Sequence, residues 1–380
     1  MERIYMDHAA TSPIHPKVIE EMVEVMNAQF GNPSSIHSFG REARNILDTS
    51  RFTMAKSIGA KENEIIFTSG GTEADNLALF GVAEAYQGQG KHIITTQIEH
   101  HAVLHACQKL EKMGYEVTYL PVDDKGRISI DALKEALKDD TILVSIMYGN
   151  NEVGTLQPLK EAGELLKDHQ AKFHTDAVQA YGLEKIDVNE IQVDLLSVSA
   201  HKINGPKGIG FLYARENVKL AQRSFGGEQE RKRRAGTENT ASIAGFREAV
   251  LIVQQEQNAK RELYQNFKSI FLKTLEDQQI DFEINGILEY SLPHVINLSF
   301  PGTNVEAMLV NLDLAGVAVS SGSACTAGSI EPSHVLVAMF GKGSERLVNS
   351  IRFSFGLGNT KEQILKAAEE TARTVQRLRK

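Results

Sequence analysis

The chain has 380 residues, of which 42% are hydrophobic and 24% charged, a composition of folded domains rather than of a disordered or fibrous chain. Its net charge of −8 disfavours non-specific binding to nucleic acid, which calls for a basic surface. Two cysteines, Cys107 and Cys325, are too few for a disulfide framework and form no CxxC pair. Reduced thiols and a cytoplasmic location are therefore expected. Neither an N-terminal apolar run nor a stretch of about 18 apolar residues is present, so neither secretion nor a membrane span is expected.

In chain order, residues 3–12 form a short strand-like start that breaks at the small residues Ala9 and Ala10. Pro16 suits the first turn of a helix, whose stripe is Val18, Ile19, Met22, Val23 and Met26. Gly31-Asn32-Pro33-Ser34-Ser35 is a turn, and residues 40–59 read as a second helix. Glu64–Thr68 is a strand that runs into Ser69-Gly70-Gly71-Thr72-Glu73 and then into a helical pattern. A strand, a glycine turn and a helix place bare N–H groups and the positive end of a dipole where a phosphate can sit.

Strands are then predicted at His92–Thr96, Glu116–Pro121, Thr141–Met147, Lys172–Thr175, Asp194–Ser199 and Phe211–Ala214. Helices are predicted at Ala102–Lys112, Ile130–Leu137 and Leu159–His169. This alternation implies an α/β fold with a mostly parallel sheet between helices. A long helix is expected from about Ser242 to Leu275, with a domain boundary near residue 255. Strands at Val295–Phe300, Val317–Ser320 and Ser350–Phe355, and a helix at Lys361–Leu378, make a smaller α+β unit. The expected division is 15–255 for the large domain, with 1–14 and 256–380 forming the small one.

Turns after the predicted strands bring Gly71-Thr72, His100, Asn151, Asp176 with Gln179, and Ser199-His201-Lys202 to one edge of the sheet. An amine, a carboxylate, an imidazole and a phosphate-type turn are the parts that a pyridoxal phosphate (PLP) site requires. Taken alone, Lys202 before a Gly/Pro loop reads as a surface charge. His101 and His105 have the i,i+4 spacing of metal ligands but no third ligand in view, so no intrinsic metal site is expected.

The residues that carry a family resemblance run almost the length of the chain. They are Asp7-His8-Ala9-Ala10-Thr11, Phe30–Ser35, Thr68–Asn76, Glu99-His100, Asn150–Gly154, His174–Gln179, Ser199–Lys202, Arg234–Thr237 and Ser320–Cys325. On these the chain resembles the NifS/IscS-type cysteine desulfurases, in the class V aminotransferase group of fold-type I PLP enzymes. The resemblance implies a large PLP-binding domain with a seven-stranded-type sheet and a smaller domain that carries a mobile cysteine loop at about 320–332.

It also implies roles. Lys202 is the Schiff-base lysine, Asp176 faces the pyridine nitrogen and Gln179 bonds the ring hydroxyl. His100 stacks on the ring and moves protons, at a reference pKa of about 6.5. Gly71, Thr72, Ser199 and His201 hold the phosphate, and Thr237 reaches the phosphate of a partner subunit, which makes the protein a homodimer. Relatives often have Ala where Gly71 stands, and that difference is expected to change little. Asn151 lies near the ring hydroxyl and the substrate, and Arg352 pairs with the substrate carboxylate.

Cys325 lies in Ser320-Ser321-Gly322-Ser323-Ala324-Cys325-Thr326-Ala327-Gly328-Ser329, a run of mostly small residues with no large anchor. At about 3.3 Å per residue, half of it spans on the order of 15 Å, enough to carry a thiol from a buried cofactor to a partner. Cys107, at helical spacing with Val103, Leu104 and Leu110, reads as core. The resemblance makes Cys325 the persulfide carrier, which could transiently ligate an iron–sulfur cluster. The implied reaction takes L-cysteine to alanine and passes sulfur to an acceptor, an iron–sulfur scaffold or a tRNA thiolation enzyme. An aminotransferase or a selenocysteine lyase of the same fold is the alternative. The basic run Arg231–Arg234 reads either as a solvated rim or as a docking patch.

Overall fold

The computed structural model describes residues 3–321, 325–326, 329–330 and 332–379, with the backbone alone at 325–326 and 329–330. The segments in order are β1 (Ile4–Tyr5), α1 (Pro16–Ala28), α2 (Ser38–Ser57), β2 (Ile65–Thr68), α3 (Gly71–Ala85), β3 (His92–Thr96), α4 (His101–Lys112) and β4 (Glu116–Leu120). They continue with α5 (Ile130–Ala136), β5 (Thr141–Ser145), α6 (Leu159–Leu166), β6 (Lys172–Asp176), β7 (Leu195–Ser199), β8 (Gly210–Ala214), the kinked turn α7 (Gln229–Lys232) and α8 (Thr240–Asp277). The remainder is β9 (Glu283–Asn285), β10 (Val295–Ser299), α9 (Val305–Leu314), β11 (Val317–Ala318), β12 (Cys325–Thr326), β13 (Ser329–Ile330), α10 (His334–Phe340), α11 (Arg346–Asn349), β14 (Ser350–Ser354) and α12 (Lys361–Leu378).

Seven strands form one sheet in the order β2-β8-β7-β6-β5-β3-β4. The pairs β7-β6, β6-β5, β5-β3 and β3-β4 are parallel, and β8 runs antiparallel to both of its neighbours. Every residue of β2, β3, β5, β7 and β8 is buried, as a sheet covered on both faces requires. Its crossovers send successive strand ends to one edge, so β3, β6 and β7 deliver His100, Asp176 and Lys202 to the same side. A second sheet, β14-β10-β9, is antiparallel.

The helix α8 joins two cores. Ile243, Phe246, Val250 and Val253 pack into the core of the large sheet. Tyr264, Phe267, Phe271 and Leu275 pack with Ile296, Leu298, Ile351 and Phe353 beneath the second sheet. Ile4 and Met6 join that second core from the N-terminus. One element crosses back: Val335, Leu336 and Met339 of α10 pack against Ile98, Met147 and Val153. Among the described residues, no helix is long and apolar enough to cross a membrane.

The basic run resolves into two halves. Arg231 and Lys232 are exposed, whereas Arg233 donates to Asn63 O at 2.9 Å and Arg234 to Glu73 at 2.8 and 3.2 Å. Just before it, Glu230 is buried with a left-handed backbone (φ 49°) and receives both Arg51 guanidinium nitrogens at 2.7 Å. Phe67 N also donates to Glu230, at 3.0 Å. Breaking a buried, bidentate pair strands a charge. Arg51→Ala is therefore expected to lower unfolding stability by about 3 kcal/mol, read from urea denaturation of the holoenzyme. A loss below about 1 kcal/mol, the value of an exposed pair, contradicts this.

Candidate active site

A cavity of about 300 Å³ opens where the parallel strands end. Gly71, Thr72, His100, Asn151, Asp176, Gln179, Ser199, His201, Lys202 and Arg352, all singled out from the sequence, line it. Thr237 does not line it and is exposed. The Cys325 thiol lies outside the described residues. The backbone of Cys325–Thr326 pairs antiparallel with Ser329–Ile330.

One end of the cavity suits an anion. Strand β2 stops at Thr68, Gly70 turns with φ +149°, and α3 starts at Gly71 with its N–H groups unpaired by the helix. The Ser199 hydroxyl sits 3.6 Å from where a Cβ at residue 70 would be. His201 bonds Thr11 Oγ1 through Nδ1 at 3.1 Å, and burial holds its pKa down to about 4. A Cβ on Gly71 would stand 2.7 Å from Val178 Cγ2. The expectation that Ala would change little at position 71 therefore has to reckon with Val178: the backbone contact survives such a change, but the space for a methyl group does not exist in this chain.

The floor is acidic and dry. Asp176, at the end of β6, is buried and accepts Val178 N at 2.9 Å. Burial raises its pKa, against the pull of His100 and Lys202. Asp75 lies beside it, 1% exposed, with Oδ1 unpartnered. Burial and the Asp176 charge push its pKa well up, so this pair holds a proton. Asp75, His100 and Asp176 present atoms within 4.8 Å of one another. Glu99, also buried, accepts Thr96 Oγ1 and Met147 N, and burial raises its pKa to about 8.

The amine and the guanidinium are held by the N-terminal segment. Lys202 Nζ donates to Ala9 O and, at 2.8 Å, to Ala10 O. Burial lowers its pKa to about 7, and Arg352 adds to that effect. Arg352 is buried, donates to Asp7 Oδ1 at 2.8 Å and to Asn151 O at 2.9 Å, and keeps Nε unpartnered. Its backbone exchanges hydrogen bonds with Ser320, the residue at which the cysteine segment begins. His100 caps α4, its Nδ1 accepting Ala102 N at 3.2 Å, so its hydrogen is on Nε2. Gln179 donates to Ala9 O at 2.8 Å.

This donor set fits pyridoxal phosphate. An anion cradle, a buried carboxylate in need of a cation and an amine near neutrality are three parts of one cavity. Ala9, Ala10, Asp75, Met147, Gly149 and Val178 also line it and were not assigned from the sequence. Asp75 lies within the Thr68–Asn76 motif, but nothing local shows that it is buried. The Ala9 and Ala10 contacts are made by carbonyl groups, which leave no trace in residue type.

The Aminotransferase class-V family profile matches residues 4–366. The chain belongs to that family. A relative in Bacillus subtilis (strain 168), provisionally named cysteine desulfurase IscS 1, is 64% identical over 378 residues and covers 100% of both chains. A cysteine desulfurase IscS of Dictyoglomus turgidum is 48% identical, over 99% of this chain and 95% of the relative. A solved NifS-like protein superposes with a TM-score of 0.92 at 34% identity, covering 98% of this chain and 99% of its own. A second, from Rickettsia africae, superposes with a TM-score of 0.89 at 32% identity, covering 99% of this chain and 100% of its own. The class-V member described here is a PLP-dependent cysteine desulfurase of fold-type I.

In this desulfurase the low Lys202 pKa sets a pH profile for cofactor capture. Only the free amine condenses with an aldehyde, so uptake of PLP by the apoenzyme is expected to rise from pH 6 to about pH 8 and then level off. A stopped-flow series of absorbance traces reads it. A rate still climbing tenfold per pH unit at pH 9, as an ordinary lysine with a pKa of about 10.4 predicts, contradicts it.

Proposed function

We propose that this desulfurase stores sulfur as a persulfide on Cys325, works as a homodimer, and delivers sulfur to an acceptor protein for iron–sulfur assembly or tRNA thiolation. The observation that carries the reading of the site is the convergence of Lys202, Asp176, Arg352 and the α3 N-terminus on one cavity. Bound PLP supplies an electrophilic carbon for amines and a ring that takes up electron density from the substrate's α-carbon.

The chain's own groups do the rest. Arg352 binds the substrate carboxylate, its guanidinium oriented by Asp7 and the Asn151 carbonyl. Asp176 sets a fixed negative charge against the ring nitrogen in a site with little water, where such a charge acts strongly. Asp75 takes the proton that two adjacent carboxylates cannot both do without. Gly71, Thr72, Ser199 and His201 hold the phosphate. Lys202 Nζ would take the α-proton; burial lowers its pKa to about 7, which suits a general base. His100, whose hydrogen is on Nε2, lines the same cavity.

Sulfur then leaves the substrate. A bond forms between Cys325 Sγ and the substrate sulfur as the carbon–sulfur bond breaks, giving alanine and the Cys325 persulfide with no outside oxidant or reductant. The Ser320–Arg352 backbone bridge ties the start of the cysteine segment to the substrate-binding strand. A dimer is supported by a set of exposed apolar side chains on and after α1: Val23, Met26, Phe30 and Ile36, from 50% to 91% exposed. A group of such side chains close together in the chain is consistent with a surface that a partner covers. The IscS-type relatives support the reading that an acceptor protein takes the sulfur.

Cys325→Ser is expected to retain bound PLP and its visible absorbance, and to lose sulfur transfer from labelled L-cysteine by at least 100-fold, a barrier increase of about 2.7 kcal/mol. Full transfer by this variant sinks the persulfide reading. Site sharing has its own test. Lys202→Ala and Thr237→Ala homodimers are each expected to be nearly inactive. Heterodimers formed on mixing regain one intact site, because Lys202 of one subunit then meets a wild-type Thr237 of the partner. No recovery in verified heterodimers overturns the role of Thr237 across the dimer.

A further inference from the structure

Behind the cavity stands His294, a buried imidazole that the mechanism above does not use. Its Nε2 lies 3.2 Å from Gln179 Oε1. We propose that His294 is a positioning residue: it fixes the Gln179 side-chain amide so that the amide NH₂ is presented to the ring oxygen of the bound cofactor. This rests on the reading of Gln179 as the donor to the ring hydroxyl of PLP.

The hydrogen-bond partners leave one arrangement. The two ends of a glutamine amide are alike in shape and are told apart only by what they touch. At one end is Ala9 O, 2.8 Å away, which can only accept. That end must be nitrogen, and Oε1 must then face His294. An amide oxygen can only accept as well, so the hydrogen of the imidazole must be on Nε2. A neutral imidazole carries one N–H, and burial with Lys268 and His8 nearby keeps this ring neutral, with its pKa lowered to about 3. Nδ1 is then a bare lone pair, and it is the ring nitrogen without a partner.

The ring itself is held. The backbone of His294 accepts Phe355 N at 2.9 Å, and the ring lines a small cavity of about 30 Å³ with Tyr264, Phe355 and Lys202. The Gln179 amide has two hydrogens. Ala9 takes one, and Gln179 lines the cavity, where the other is available. An amide turned end for end would set oxygen against the Ala9 oxygen, and would meet the Nε2–H with nitrogen unless the imidazole hydrogen moved to Nδ1. His294 precedes β10, on the second sheet, while Gln179 follows β6 on the first. The contact therefore refers a cofactor-binding group to the other core.

The test compares holoenzymes of wild type, Gln179→Ala, His294→Ala and His294→Gln without substrate. It reads the dissociation constant of PLP and the pH midpoint of its visible absorbance. Gln179→Ala is expected to weaken PLP about tenfold, the value of one hydrogen bond to a charged group, and to move the midpoint. His294→Ala is expected to move the midpoint in the same direction and weaken PLP about threefold, since the amide then keeps only its Ala9 contact and is held less firmly. His294→Gln, which restores an N–H at that place, is expected to return both to within about twofold of wild type. If Gln179→Ala changes both quantities and His294→Ala changes neither, the proposal for His294 is wrong and the role of Gln179 stands. If Gln179→Ala changes neither, the reading of Gln179 fails and the proposal falls with it. Should His294→Ala fold poorly, His294→Phe keeps a ring of similar volume without the N–H, and the same two outcomes decide.

Discussion

A carboxylate taken out of water at the end of a buried strand is the constraint around which this site is built. Asp176 closes β6 opposite Ser197 of β7, and one backbone N–H is its short local partner. Asp75 makes the position harder still, because two buried carboxylates cannot both be charged without a cation between or beside them. Under the proposed role of Asp176, a protonated ring nitrogen would supply that cation, and part of the cofactor's binding free energy would be relief of this burial. The groups around it, Lys202, His100 and His174, are placed to make that burial tolerable without removing it. Burial keeps His174 neutral with a pKa near 3, and serine hydroxyls occupy both of its nitrogens.

The N-terminal segment is the second organising element. Ile4 and Met6 anchor it in the core under the small sheet, and β1 pairs with β11. From there it runs across the mouth of the large sheet, where Asp7 takes Arg352 and the carbonyls of Ala9 and Ala10 take Lys202. Ser12 then bonds His201 O at 2.6 Å. Six residues thus connect the group proposed for the substrate carboxylate with the amine and the anion cradle. Small side chains at 9 and 10 leave the carbonyls accessible, which is a physical use for a stretch that would otherwise look featureless.

Much of this was legible in the sequence, and the parts that were not share a cause. The helix Lys361–Leu378 has a clean apolar stripe and was placed to the residue; the alternation of strands and helices gave the sheet. The helix α9 was missed because exposed Val310 and Leu314 blur the stripe formed by Val305, Met308 and Leu312. The helix α10 was missed because seven residues of mostly apolar sequence show no period. In the site, ten residues singled out from the sequence, from Gly71 to Arg352, line the cavity. The pairing of Asp7 with Arg352 spans 345 positions and no local pattern announces it. The proton-sharing pair was half seen: Asp176 was named and Asp75, in a motif already marked, was passed over because nothing local shows that it is buried.

The close approach of Gly71 to Val178 bears on how such a site can change over time. A methyl group at position 71 meets a β-branched side chain whose rotamer is stiff, whereas a smaller residue at 178 would leave room. The two positions are thus coupled: the residue that fits at 71 depends on the residue that stands at 178.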